Sequence, residues 1–367
     1  MNIIISGYYG FDNIGDEAVL LGLITRIKAE KPDAYITVLS ANPKRTEELY
    51  GVHAINRNDR IMFSRMLKDA DLFISGGGSL IQDVTSWRSP LYYLYVIHLA
   101  LKFRVRSVIV CQGVGPLRRN FIRKWTKKVL NRLPYISLRD EDSATLLKEI
   151  GVTSPQIVVA SDPALTFEVV KRERIDEWWE ENIGEENRAF GVALRGVAGV
   201  ERGKFLEIIK TAAEKAKEKG EKLVFIPFFY EQDAPFIEEL TAEVGLEANS
   251  YAFFDLPSIT PTEMMYFISK LNGLLAVRLH AIIFAAVTKT PTVALSYDPK
   301  VKSFCESVDI STVLDINVFS ANDLSSSLAS PSVADSEKVS LLREKTIAAI
   351  KATLRQPHVA RKRRLRA

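Results

Sequence analysis

Short runs of β-branched and other apolar residues alternate with amphipathic stretches along this chain, and the alternation breaks once and then restarts. In the first half the runs at 2–6, 35–39, 52–55, 71–75, 107–111, 135–138 and 156–159 read as strands. Between them 16–30, 91–102, 118–131 and 140–150 read as helices. Nearly continuous apolar strands separated by helices mean a parallel sheet covered on both faces. A charged stretch at 170–188 follows, containing Trp178, Trp179 and Gly184. The pattern then resumes with strands at 190–194, 223–227, near Tyr251, 273–277 and 292–295, and helices at 203–219, 232–244, 261–271 and 279–288. The expected architecture is α/β, with two doubly wound Rossmann-like domains facing across a cleft. They are drawn at 1–170 and 189–320, with a linker at 171–188. A Ser- and Ala-rich loop at 322–336, a terminal helix at 336–356 and a basic tail at 357–367 complete the expectation.

Length and charge narrow the function classes. At 367 residues, two domains are favoured over one. The longest apolar stretch, 91–101, contains His98 and is too short to span a bilayer. The opening MNIIISGYYG lacks the basic and long apolar regions of a secretory signal, so a cytoplasmic protein is expected. Cys111 and Cys305 are too few and too distant for a disulfide framework or zinc site. The four histidines, His53, His98, His280 and His358, show no ligand spacing, so no metal is expected. The net charge of +4 is concentrated at the end. Without the five positive charges of the final RKRRLRA, 44 basic residues face 45 acidic ones, a net charge of −1. The tail reads either as a solubilising end or as a contact for an anionic surface. A near-neutral body argues against nucleic acid.

In open α/β sheets ligands sit beyond the carboxyl ends of the strands, so the residues following each strand are the candidates. After the first strand comes GYYGFDNIGDE (7–17), a glycine-rich loop entering a helix that could offer N–H groups to an anion. Asp16 stands where a P-loop carries lysine, which argues against ATP. Asp16 either complements the helix dipole or accepts a hydrogen bond or proton from a substrate hydroxyl. Gly76, Gly77 and Gly78 exceed what a turn needs and are read as close approach to a ligand. Ser79, Gln82, Asp83 and Arg88 follow as polar partners. Arg139 could hold an anion; Asp140 and Asp162, the latter before Pro163, equally suit helix capping. Arg278 and His280, two apart in an extended segment and backed by an apolar helix, form the sharpest feature and favour function over packing. Lys300 and Lys302 lie in a loop on the same rim. Together Arg88, Arg139, Arg278, Lys300 and Lys302 suit a small, multiply charged anion.

Six motifs in order, GYYGFDNIGDEAVL (7–20), GGGSLIQD (76–83), LRDEDS (138–143), DPAL (162–165), RLHAIIFA (278–285) and SYDPKV (296–301), resemble the polysaccharide pyruvyl transferase family. Within it the similarity is to CsaB-type enzymes, which pyruvylate N-acetylmannosamine in secondary cell-wall polymers of Gram-positive bacteria. The resemblance covers about residues 1–310. It implies a GT-B-like fold and phosphoenolpyruvate as co-substrate, with no other cofactor. The acceptor it implies is a lipid-linked saccharide met at the inner face of the membrane, with the tail as a peripheral contact. It also implies donor binding by Arg278 and acid catalysis by His280. On this assignment Arg88, Arg139, Lys300, Lys302, Gly76, Gly77, Gly78 and Ser79 join Arg278 on the donor side. Gly10, Asn13, Gln82 and Asp83 fall on the acceptor side, and Asp16 is base or orienter. Two other readings stay open: a GT-B glycosyltransferase using a nucleotide sugar, and a non-catalytic sugar-phosphate binding protein. The 273–300 segment lacks the glutamate that many enzymes of the former class use.

Overall fold

The computed structural model describes residues 1–84, 86–184, 187–247 and 249–355. The basic tail and the last residue of the expected terminal helix lie outside them. The chain forms two compact units. One gathers residues 1–11, 16–167 and 342–355; the other gathers 12–15 and the described residues of 168–341.

The N-terminal unit is built on strands β1 (Asn2–Ser6), β2 (Tyr35–Ser40), β3 (His53–Asn56), β4 (Leu72–Gly76), β5 (Arg106–Gln112), β6 (Tyr135–Leu138) and β7 (Gln156–Val159). Their order is β3-β2-β1-β4-β5-β6-β7, parallel throughout. Helices α1 (Ile14–Glu30), α2 (Pro43–Tyr50), α3 (Arg60–Asp69), α4 (Arg88–Lys102), α5 (Asn120–Leu130) and α6 (Glu141–Glu149) connect them. Side chains alternate across a strand, so Ile4 and Phe73 enter one core while Ile3, Ile5 and Ile74 enter the other. Burying both faces is what makes these strands apolar throughout.

The C-terminal unit repeats the plan with β8 (Arg188–Ala193), β9 (Glu221–Phe225), β10 (Tyr251–Phe253), β11 (Gly273–Ala276), β12 (Thr292–Ser296) and β13 (Val313–Asp315), in the parallel order β10-β9-β8-β11-β12-β13. Its helices are α7 (Glu173–Asn182), α8 (Arg202–Glu218), α9 (Tyr230–Val244), α10 (Pro261–Ser269), α11 (Leu279–Thr288), α12 (Pro299–Ser307) and α13 (Ala321–Ala329). The last helix, α14 (Ser336–Arg355), begins in this unit and ends in the other, where Ala349, Ile350 and Leu354 join the core.

Three local expectations are corrected. The stretch read as a linker contains α7, because Trp178 and Trp179 are core residues; Trp178 meets Phe254 and Phe267 edge-on at 5.0 and 5.4 Å. The Ser- and Ala-rich stretch contains α13, held by a capping box between Ser320 and Asp323 and by buried Leu324 and Leu328. The loop expected at Lys300 is α12, started by the Asp298 side chain accepting from the Lys300 N–H, with Pro299 in the first turn.

Candidate functional site

In each sheet the strand order reverses once, between β1 and β4 and between β8 and β11. Loops leaving the carboxyl ends there form the natural ligand crevice.

In the N-terminal unit this crevice is tightly knitted. The Gly10 N–H goes to Glu17 Oε1 at 2.7 Å, while Glu17 Oε2 accepts from the Tyr50 hydroxyl at 2.7 Å. Gly10 has φ +77°, and a Cβ there would lie 2.1 Å from Ser40 Oγ. The loop expected to cradle an anion therefore uses this N–H internally. Gly76 and Gly77, read as ligand contacts, are explained by packing: a Cβ on Gly76 would lie 2.5 Å from Leu23 and one on Gly77 1.7 Å from Val19, both in α1. Gly78 turns the loop against the Asp16 carboxylate, 2.9 Å from the position of its would-be Cβ. Burial, with Asp16 and Glu17 adding, pushes the Tyr9 phenol well above its ordinary value. Tyr9 thus stays a hydrogen-bond donor, to Gly76 O at 2.6 Å.

The polar residues beyond β4 and β6 are mostly occupied too. Asp83 is buried and accepts from the N–H groups of Arg118 and Arg119 at 2.7 and 2.8 Å, so its expected acceptor contact is replaced by a loop fastening. Gln82 Oε1 accepts from the Val84 N–H. Arg139, expected as an open clamp, is enclosed: its guanidinium donates to Ser79 Oγ at 3.0 Å and Asp162 Oδ2 at 3.1 Å, with Asp140 at 3.9 Å. Asp140 caps α6 and Asp162 caps the turn at Pro163–Thr166. Arg88 is exposed, 5.6 Å from the Trp87 ring. A feature missed from sequence is Arg57, set 4.4 to 5.5 Å from the rings of Tyr92, Phe11 and Tyr93, with Nη1 buried and without a hydrogen-bond partner among the described residues. Nothing in the local pattern around Arg57 marks it.

In the C-terminal unit the crevice is cationic. Arg278 leaves β11 and precedes α11. Its Nε and Nη2 grip both oxygens of Asp233, the first at 3.0 Å; Asp233 also accepts from the Phe228 and Phe229 N–H groups. Arg278 is nine-tenths buried. One edge of its guanidinium is thus fixed by protein, which corrects the picture of a free clamp. His280 lies in the first turn of α11, and a Cβ on Gly15 would lie 2.1 Å from its Nδ1. Only glycine at position 15 leaves room for that imidazole. Asn13 bridges to Phe229 and accepts from the Gly15 N–H. Lys300 is half-buried in the first turn of α12, while exposed Lys302 pairs with Glu306 across one helical turn.

Register identifies a cation that sequence reading passed over. Ala193 of β8 pairs with Ala276 of β11, so Arg195 stands two residues beyond its strand as Arg278 does beyond its own. The Arg195 guanidinium lies 5.7 Å from the Tyr297 ring, beyond β12. Its signal was available: an arginine directly after an apolar strand. Among the described residues no group of three or more His, Cys, Asp or Glu side chains is placed to hold a metal ion, and no helix is long and apolar enough to cross a membrane.

The polysaccharide pyruvyl transferase family matches over residues 13–299. This chain belongs to the polysaccharide pyruvyl transferase family. A curated relative, the amylovoran biosynthesis protein AmsJ of Erwinia amylovora, is 19% identical, with 82% of this chain and 84% of AmsJ covered. This supports a transferase with a role in polysaccharide biosynthesis. Among solved structures, the UDP-GlcNAc 2-epimerase of Neisseria meningitidis bound to UDP-GlcNAc aligns with TM-score 0.63 at 12% identity, covering 96% of this chain and 98% of that one. Anabaena HepE in complex with UDP-glucose aligns with TM-score 0.61 at 13% identity, covering 96% and 95%. At such identities the likeness establishes the fold: two parallel-sheet Rossmann-like domains of the GT-B kind.

Proposed function

We propose that this pyruvyl transferase takes its pyruvyl group from phosphoenolpyruvate and sets it as a cyclic ketal across two hydroxyls of a saccharide, releasing phosphate. The observation that carries the donor assignment is the register-matched pair Arg195 and Arg278 at the reversal point of the C-terminal sheet, with His280 two residues on. A carboxylate and a phosphate need two cationic partners. Arg195, the edge of Arg278 not held by Asp233, and Lys300 supply them.

His280, as imidazolium, gives its proton to the methylene carbon, and an oxocarbenium-like centre develops at C2. A sugar hydroxyl bonds to C2, with Asp16 orienting it or accepting its proton. Phosphate then leaves and the second hydroxyl closes the ketal. Of the two hydroxyl protons, one restores His280 and the other leaves on phosphate. Following the CsaB-type resemblance, the acceptor is the 4,6-diol of N-acetylmannosamine in a lipid-linked cell-wall precursor. The segment from Arg361 then serves as a contact for the anionic membrane surface.

The test is phosphate release from phosphoenolpyruvate with and without a synthetic lipid-linked disaccharide ending in N-acetylmannosamine. Acceptor-dependent release with a pyruvyl mass gain on the sugar supports the reading. Binding of a UDP-sugar, with no phosphoenolpyruvate turnover, favours a glycosyltransferase instead. His280→Ala should lower turnover by roughly 10²–10⁴-fold with the fold intact; unchanged turnover removes the acid role. Loss of anionic-vesicle binding on deleting the seven terminal residues tests the membrane contact.

A further inference from the structure

Two strands along from the cationic corner, the same sheet carries a site of opposite character. Between the carboxyl ends of β9 and β10 lies a cavity of about 360 Å³. Its floor is apolar, formed by buried residues that include Phe228, Phe254 and Met264. Its rim is exposed and acidic, with Asp12, Glu231 and Asp255, and the half-exposed ring of Tyr230 stands beside them. Among the described residues no lysine, arginine or histidine lines it, though Arg174 donates to the Pro257 carbonyl in its wall.

We infer that this cavity binds a neutral sugar residue of the acceptor saccharide, next to the one that receives the pyruvyl group. The inference rests on the pyruvyl transferase reading. Three carboxylates around one opening repel phosphoenolpyruvate and nucleotide phosphates alike. They also accept hydrogen bonds from hydroxyl groups, which a sugar presents on its edge while its C–H face lies on aromatic carbon. The volume falls in the range of small-molecule sites. Two rim residues, Asp12 and Ser258, hold left-handed backbone with φ of 56° and 57°. Such conformations are uncommon for non-glycine residues and concentrate at functional loops.

The distance suits a neighbouring sugar. β9 and β11 are two positions apart in the sheet, hence about 10 Å, further than one pyranose ring spans. The link between the corners runs through hydrogen bonds: Asp233, which fixes Arg278, also accepts from the N–H groups of Phe228 and Phe229 in the cavity wall. A sugar seated there bears on the loop that holds the donor arginine in place.

The experiment titrates the full chain with a panel of neutral methyl hexosides and N-acetylhexosaminides, followed by saturation-transfer NMR. The corresponding methyl uronides and phosphoenolpyruvate serve as competitors. At least one neutral glycoside should bind, with the uronides and phosphoenolpyruvate failing to displace it. Tyr230→Ala should weaken binding about tenfold, the order expected for loss of a stacking ring. Glu231→Gln with Asp255→Asn should admit the uronide. Absence of binding across the panel, binding unmoved by these substitutions, or displacement by phosphoenolpyruvate would each overturn the inference. Phosphate release is measured in parallel. Glycoside binding that behaves as expected in an enzyme that never turns over phosphoenolpyruvate sinks the pyruvyl reading and leaves the sugar site standing. Turnover without glycoside binding does the reverse.

Discussion

Each unit holds, among its described residues, a buried arginine–aspartate pair at the carboxyl edge of its sheet, and the two pairs differ in charge balance. Arg139 faces Asp162 and Asp140 and donates also to Ser79, so a single cation stands between two carboxylates. Among the described residues Arg278 meets one carboxylate, Asp233, bidentately, with Arg195 at the matching register of the next strand. The first cluster is acidic in sum and closed; the second is basic in sum and keeps guanidinium N–H groups in hand. Both arginines follow a strand and are read from sequence as donor contacts, Arg278 the more sharply for His280 two residues on, and residue type alone does not separate their surroundings. The number of carboxylates folded around each one does, and it supports the proposal that an anionic donor binds at the C-terminal corner.

Removing the lone partner should cost most. Asp233→Ala leaves Arg278 buried and uncompensated, with two backbone N–H groups unmet, and should lower unfolding free energy by about 3–5 kcal/mol in denaturant titrations. Asp162→Ala leaves Arg139 with Asp140 and Ser79 and should cost about 1–3 kcal/mol. Equal losses would erase the contrast between the pairs. Glu17→Gln, which weakens a buried fastening of Gly10 and Tyr50 while preserving its shape, should cost about 1 kcal/mol. The smallest perturbation uses the native thiols. Burial pushes Cys111 in one unit and Cys305 in the other up to about 12. Neither should react with a disulfide reagent at pH 8 in the folded protein. In rising denaturant each should label only as its own unit opens, and two separate labelling midpoints would measure the stability difference between the units directly.

Much of this architecture is legible in sequence because apolar strands buried on both faces leave a strong trace. β1, β6, β7 and α11 fall on the ranges read from it. Short polar helices escape the same reading. α2 and α3 bury one or two residues each, and α12 and α13 announce themselves only through capping groups at Asp298 and Ser320. At the candidate site, sequence located Arg278 and His280 at a strand end, since that depends on local order. It could not locate Asp233, four residues into an amphipathic helix, because pairing with Arg278 across 45 positions is a tertiary fact. It also over-read the triple glycine, where α1 approaches so closely that side chains would collide.

The path of α14 bears on how the chain is made. Its final turns complete the hydrophobic core around β1, β5 and β6, and the Thr346 hydroxyl accepts from the Ser161 N–H. Domains fold as units while the polypeptide emerges from the ribosome. The C-terminal unit, apart from the four residues it borrows at 12–15, is one uninterrupted segment ending at Leu341. The N-terminal unit, although translated first, lacks a wall of its core until α14 has been synthesised. A premature stop within α14 would therefore harm the half of the protein furthest from it in the gene.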